Sequence, residues 1–168
     1  MFNKLPRLLQ IIGILTIINT GIASFSGVFS VISGPPSAED IKMQDLEMAK
    51  FIKVLKDYDT SPEAMELLEK LKFITKAVNE NYMLFTGVSA LISLAGLVSV
   101  LLMFKRNIYG FHLYIIYSLL SSTSMYLIVS PSDVPSAVVV VNLLISGLFV
   151  FLYSRNLPWL KSDNSIQE

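Results

Sequence analysis

Residues 8–33 have the sequence LLQIIGILTIINTGIASFSGVFSVIS, in which no Asp, Glu, Lys or Arg occurs. Three later segments are equally free of these residues, at 81–104, 107–132 and 134–154. A helix needs about 20 mostly apolar residues to cross a bilayer, and each segment has that length. The sequence therefore predicts an all-α integral membrane protein, a four-helix bundle with spans at approximately 8–33, 82–104, 108–130 and 135–154.

The charged residues are concentrated between the first two predicted spans. Of the 26 charged residues in the 168-residue chain, 17 lie from Glu39 to Glu80. Ser37 followed by two acids, and Ser61 followed by Pro62 and an acid, are typical helix starts. We expect an extramembrane helical hairpin at approximately 37–81, joining spans one and two.

Each helix of this predicted hairpin carries an apolar stripe with helical spacing. The simplest arrangement buries the two stripes against each other. Docking of the stripes on a partner protein, or in the lipid interface, are the alternatives. The stripes are Ile41, Met48, Ile52, Leu55 and Tyr58 in the first helix, and Ala64, Leu67, Leu68, Leu71, Ile74 and Val78 in the second.

The basic residues near the span ends predict the orientation in the membrane. Basic pairs precede span one, join spans two and three, and follow span four, so they lie on one side if the chain crosses four times. Positive residues near span ends face the cytoplasm. The seven lysines of the charged segment oppose this assignment, but the other connections agree. We expect a bacterial cytoplasmic (inner) membrane with both termini cytoplasmic. The pairs are Lys4 and Arg7, Lys105 and Arg106, and Arg155 and Lys161.

The first span has an alternative interpretation as a cleaved signal peptide. Two basic residues precede an apolar stretch, and Gly21-Ile22-Ala23 resembles a cleavage site. The apolar stretch continues to Ile32, roughly twice the length of about 7–15 residues that is usual in a signal peptide. We therefore expect an uncleaved span.

Composition excludes several classes of function. The net charge is zero, so nucleic-acid binding has no electrostatic support. The chain has no cysteine and a single histidine, so a thiolate nucleophile or a zinc site of the usual cysteine and histidine ligands is not expected. No phosphate loop, HExxH motif or intramembrane carboxylate pair occurs in the sequence. We expect a protein that is not an enzyme and binds no cofactor or metal.

Neutral polar residues lie at similar depths in different spans. Asn19 and Asn142 each lie about 17–18 Å from the cytoplasmic end of their span, at about 1.5 Å per residue. An amide in hydrocarbon needs a hydrogen-bond partner, so we expect a bond between spans one and four. A site for a polar ligand or an ion is the alternative. The predicted interhelical cluster is Asn19, Asn142, Ser93 and Ser146.

Span one also carries small residues at steps of three or four, which allow close helix approach in lipid. We expect this face to meet protein, either within this chain or in another subunit. Three further residues are weak candidates for ligand contact or pH sensing: His112, Tyr114 and Tyr117. The helix-packing face is Gly13, Thr16, Thr20, Ala23, Gly27, Ser30 and Gly34.

These features favour a non-catalytic accessory or interaction subunit of a membrane assembly. Its expected partners are the lipid bilayer and either a second copy or another membrane protein. The alternative is an oligomeric channel or carrier for a small neutral or polar solute, with an interior lined by hydroxyls and amides. The absence of prolines inside the spans weighs against that alternative, because transport sites favour broken helices.

Overall fold

A computed structural model of the protein describes residues 5–58 and 61–161, and these residues form helices without any strand. The expectation of an all-α fold is confirmed. A 3₁₀ helix, Ser124–Leu127, follows the fifth of seven α-helices. The α-helices are α1 (Arg7–Ser33), α2 (Ala38–Asp57), α3 (Pro62–Glu80), α4 (Tyr82–Phe104), α5 (Tyr109–Thr123), α6 (Ser136–Ser154) and α7 (Leu157–Lys161).

Among the described residues, three helices are long and apolar enough to cross a membrane: α1 with 27 residues, α4 with 23 and α6 with 19. They correspond to the predicted first, second and fourth spans. Helix α1 ends at Ser33, and the Gly34 that follows has a φ of 80°, in the left-handed region that favours glycine. Two prolines follow and separate α1 from the charged segment.

The helix at the position of the third predicted span is shorter than the expected range of 108–130. Helix α5 has 15 residues and ends at Thr123. The hydroxyls of Ser122 and Thr123 bond back to the carbonyls of Ser118 and Leu119, four residues earlier. Such bonds compete with helical geometry, and here they accompany the change to a 3₁₀ turn.

Helices α1 and α4 pack closely through small residues. A Cβ added at Gly27 would lie 2.9 Å from the Cβ of Ala90, and one at Gly13 would collide with the ring of Phe104. Thr20 packs in the same way over Gly96. Much of the small-residue face of α1 therefore meets a helix of the same chain.

Two members of the predicted packing face lie elsewhere. Ala23 is exposed, and its neighbour Ser24 is buried instead. The buried positions 16, 20 and 24 follow a strict four-residue step, so the step of three to Ala23 was wrong. Gly34 has open space where a side chain would lie, because it forms the end of the helix rather than a contact.

The main core lies at the end of the bundle where α1 begins and α4 ends. Leu9, Val100, Met103, Tyr153 and Leu160 are completely buried there. The short helix α7 covers this end, and its Trp159 packs 4.7 Å from the Arg106 guanidinium. The basic residues after α4 and α6 thus gather at the same end as the start of α1.

The charged helices α2 and α3 join the opposite end of the bundle. Gln44 accepts a hydrogen bond from Asn79 at 3.1 Å, so the start of α2 lies beside the end of α3. Ile74 and Ala77 of α3 pack against Val129 and Val134, in the connection before α6.

The two predicted stripes of this segment are only partly covered. Helix α2 contains no buried residue, and Tyr58, at its end, is 80% exposed. In α3 the buried residues are Ile74 and Ala77, both at the end that contacts the bundle. The expected mutual burial of the stripes is therefore incomplete.

A candidate functional site: the polar cleft

A cleft of about 350 Å³ lies between α1, α5 and α6, and we call it the polar cleft. Nine of its twelve lining residues carry a hydroxyl or an amide, and none carries a charge. The twelve are Leu15, Thr16, Asn19, Tyr114, Tyr117, Ser118, Ser121, Ser122, Asn142, Ile145, Ser146 and Phe149.

Asn19 and Asn142 line this cleft together, as their matched depths predict. Both are nevertheless exposed, and neither side-chain amide has a hydrogen-bond partner among residues 5–58 and 61–161. The expected bond between spans one and four through these amides is therefore missing from the described chain. Their donors and acceptors are free to meet another molecule.

Helices α1 and α6 are instead joined through Tyr153, at the base of the cleft. Its hydroxyl lies 2.8 Å from Oγ1 of Thr16 and 3.2 Å from the carbonyl oxygen of Ile12. Thr16 in turn donates to that same carbonyl at 2.8 Å. The ring of Tyr114 packs against Tyr153 with a centroid separation of 4.5 Å. The buried side chains of Thr16 and Tyr114, which line this end of the cleft, are therefore both in contact with Tyr153.

The wall between α5 and α6 is held by a second polar contact. The hydroxyls of Ser122 and Ser146 lie 3.1 Å apart. Ser146 is one turn from Asn142, so this contact fixes the side of α6 on which Asn142 lies.

The cleft is open because α6 is poorly covered. Tyr153 is its single buried residue. Large side chains along the rest of the helix are exposed, including Leu144 at 68% and Ile145 at 53%. Helix α6 is therefore buried against its neighbours only near its C-terminal end. The rest of the helix is not covered by other described residues.

The other predicted polar residues take different positions. Ser93 is half-buried on α4 and is not among the residues that line the cleft. His112 is exposed beside the rings of Tyr109 and Phe111, also outside the cleft. Tyr114 and Tyr117 do line it.

The chemistry of this cleft is that of neutral hydrogen bonding. Amides and hydroxyls both donate and accept, so they can bind a polar uncharged group in several orientations. The described residues contain no group of three or more His, Cys, Asp or Glu able to hold a metal ion.

The sequence did not predict Tyr153, which contacts the lining residues Thr16 and Tyr114 without lining the cleft itself. Side chains of a helix tilt toward its N-terminus. For a residue in the last turn of α6, that direction points from the end of the bundle toward its middle. A tyrosine at the last turn of an apolar helix could therefore have been expected to reach inward and bond to α1.

Comparison of the chain with protein-family models, with curated proteins and with solved structures gives no match.

Proposed function

We propose that the protein is a non-catalytic accessory or interaction subunit of a membrane assembly, and that its polar cleft receives a polar transmembrane segment of a partner protein. One observation carries this proposal. Asn19 and Asn142 lie exposed in one cleft without hydrogen-bond partners from the described chain. Amides facing hydrocarbon are costly when unsatisfied, so a partner that bonds to them gains affinity.

We place the protein in the membrane with four spans. Helix α5 and the following 3₁₀ turn have 15 and 4 residues. At about 1.5 and 2.0 Å per residue they reach about 30 Å, the thickness of the hydrocarbon core. The helices α2 and α3 then form a hairpin outside the membrane, while the basic end of the bundle and both termini face the cytoplasm, as in a bacterial inner membrane.

Photo-crosslinking from α6 tests whether protein or lipid occupies the cleft. A photoreactive amino acid replaces Ile145, which lines the cleft, or its neighbour Leu144, which is 68% exposed and lies outside the lining. We expect position 145 to give a discrete protein adduct in native membranes and position 144 to give lipid adducts. The same adducts at both positions would contradict the proposal.

A second candidate function, binding or passage of a small neutral solute, is supported by the volume and polarity of the cleft. A space of about 350 Å³ is within the usual range of small-molecule sites. Purified protein in liposomes tests this function by solute flux. Selective flux that is lost in Asn142→Ala would favour the solute, whereas flux equal to that of empty liposomes would reject it.

A further inference from the structure

Three neutral polar side chains of the polar cleft come from different helices and lie at one depth. Asn19 of α1, Ser121 of α5 and Asn142 of α6 each lie 12 residues from the end of their helix at the basic end of the bundle. At about 1.5 Å per residue, this count places all three about 18 Å from that end. All three are exposed and line the cleft. We call them the central polar residues.

The basic ends of these three helices are level with one another. Leu9 of α1, Phe111 of α5 and Tyr153 of α6 each lie within two residues of those ends. The three side chains belong to one buried cluster. The equal counts along the helices therefore correspond to equal depths in the bundle.

Charged side chains are remote from this depth. Helices α1, α4, α5 and α6 contain one residue among Asp, Glu, Lys and Arg, namely Arg7 at the start of α1. Arg155 follows α6 and lies 13 residues from Asn142, or about 20 Å. Asp133 precedes α6, whose first six residues separate it from Asn142 by about 9 Å or more. A charged group brought to this depth would lose its hydration without meeting an opposite charge, which is costly.

A third amide complements the two asparagine amides, which have no hydrogen-bond partner in the described chain. Every side-chain amide has a carbonyl oxygen that accepts and an NH₂ group that donates two hydrogen bonds. An incoming amide can therefore accept from Asn19 while it donates to Asn142, or the reverse. A hydroxyl has a single donor, and a hydrocarbon side chain would leave both asparagines unsatisfied.

We infer that the partner segment in the polar cleft carries one asparagine or glutamine at the middle of the membrane, and no charged residue at that level. This inference rests on the proposed function and specifies the chemistry of the partner. The amide of that residue bridges Asn19 and Asn142, so α1 and α6 are joined at this depth through the partner. Binding therefore depends on the identity and the depth of a single side chain of the partner.

Synthetic transmembrane peptides test this chemistry. Leucine-rich single-span helices differ only at the central residue, which is Asn, Gln, Leu or Lys. Energy transfer measures their binding to the full-length protein in liposomes, with the donor dye on Lys50→Cys, since the natural chain has no cysteine. We expect the amide peptides to bind about tenfold more tightly than the Leu peptide, and the Lys peptide to bind no more tightly than the Leu peptide.

Depth and cleft residues are tested in the same assay. Moving the peptide asparagine six residues from the centre, about 9 Å, should reduce its binding to that of the Leu peptide. The variant Asn19→Leu/Asn142→Leu should bind the Asn and Leu peptides equally. Ser26→Leu is the matched control, because Ser26 is exposed on α1 outside the cleft lining, and it should keep the preference for Asn. Circular dichroism checks that both variants are folded.

Three results would overturn the inference: amide peptides that bind no better than the Leu peptide, a Lys peptide that binds as tightly as they do, or a preference for Asn that survives in the double asparagine variant. A natural partner held in the cleft by a charged or wholly apolar span would also overturn it, while leaving the proposed function intact. The proposed function fails separately, if a photoreactive residue at position 145 gives the same adducts as one at position 144.

Discussion

The hydroxyl of Tyr153 lies 2.8 Å from Oγ1 of Thr16, and it ties α6 to α1 across 137 positions of the chain. Both groups are buried, and Thr16 bonds onward to its own helix backbone. The contact lies beside the polar cleft, which Thr16 lines, and it leaves Asn19 and Asn142 exposed. Thr16 and Tyr153 therefore hold α1 and α6 together, whereas Asn19 and Asn142 of the same two helices remain accessible in the cleft.

Removing the hydroxyl in Tyr153→Phe should loosen α6 without unfolding the bundle. Interhelical hydrogen bonds in membranes contribute about 0.6 kcal/mol on average and up to about 1.7 kcal/mol. We expect a loss of that size in unfolding measured in detergent. The exposed Tyr109→Phe is the control, and an equal loss there would contradict the assigned role of the Tyr153 hydroxyl.

Two glycines of α1 provide a matched test of its packing on α4. A Cβ at Gly27 would lie 2.9 Å from the Ala90 side chain, whereas a Cβ at Gly21 meets nothing within 4 Å. Gly27→Leu should therefore destabilise the protein by about 1–3 kcal/mol through overpacking, and Gly21→Leu should change little. Equal thermal stability of the two variants would show that α1 and α4 do not pack through this face.

The start of α2 should respond to acid through Asp40. Its carboxylate accepts hydrogen bonds from the Ser37 hydroxyl at 2.6 Å and the Ser37 backbone N–H at 3.1 Å, and these lower the Asp40 pKa. A lowered pKa in the folded state means that the stabilisation is present above the ordinary value of 3.8 and is lost as pH falls through the lowered value.

Amide-exchange protection in the first turn of α2 measures this effect. We expect wild-type protection to fall as the pH drops below 3.8, while Asp40→Asn shows weak protection at every pH. A variant with the same acid-induced loss as the wild type would contradict the role of this carboxylate.

Single cysteines test the orientation of the chain, because the natural protein contains none. We expect Lys50→Cys, in the hairpin, to react with an impermeant thiol reagent added outside intact cells. Lys105→Cys, at the basic end, should react only after the membrane is opened. The reverse pattern would place the hairpin in the cytoplasm.

The sequence predicted helix positions better than distances between helices. The uncharged segments of the sequence predict where α1, α4 and α6 lie. The spacing of glycines and threonines predicts the face of α1 that carries small residues. The depths of Asn19 and Asn142 follow from helical rise, which is a local property. Whether the two amides touch depends on how far α6 lies from α1 at their level, and that distance depends on tertiary packing rather than on local sequence.

Helix α5 ends at Thr123, before the predicted end of the third span near residue 130, for a related reason. Hydropathy continues past Thr123, but the consecutive hydroxyls there bond to earlier carbonyls and accompany a different helix type. Hydropathy reports the transfer of a segment into lipid and is insensitive to such local backbone competition.

Native mass spectrometry of the wild type and the Asn19→Leu/Asn142→Leu variant tests the central claim most directly. We expect the wild type, extracted from its native membrane in mild detergent, to carry a bound membrane protein whose mass differs from 18.7 kDa. The variant should lose that species while its own unfolding stability is unchanged or higher, because the amides have no bond to lose within the described chain. A wild type without any bound partner, or a variant that keeps the same partner, would contradict the account.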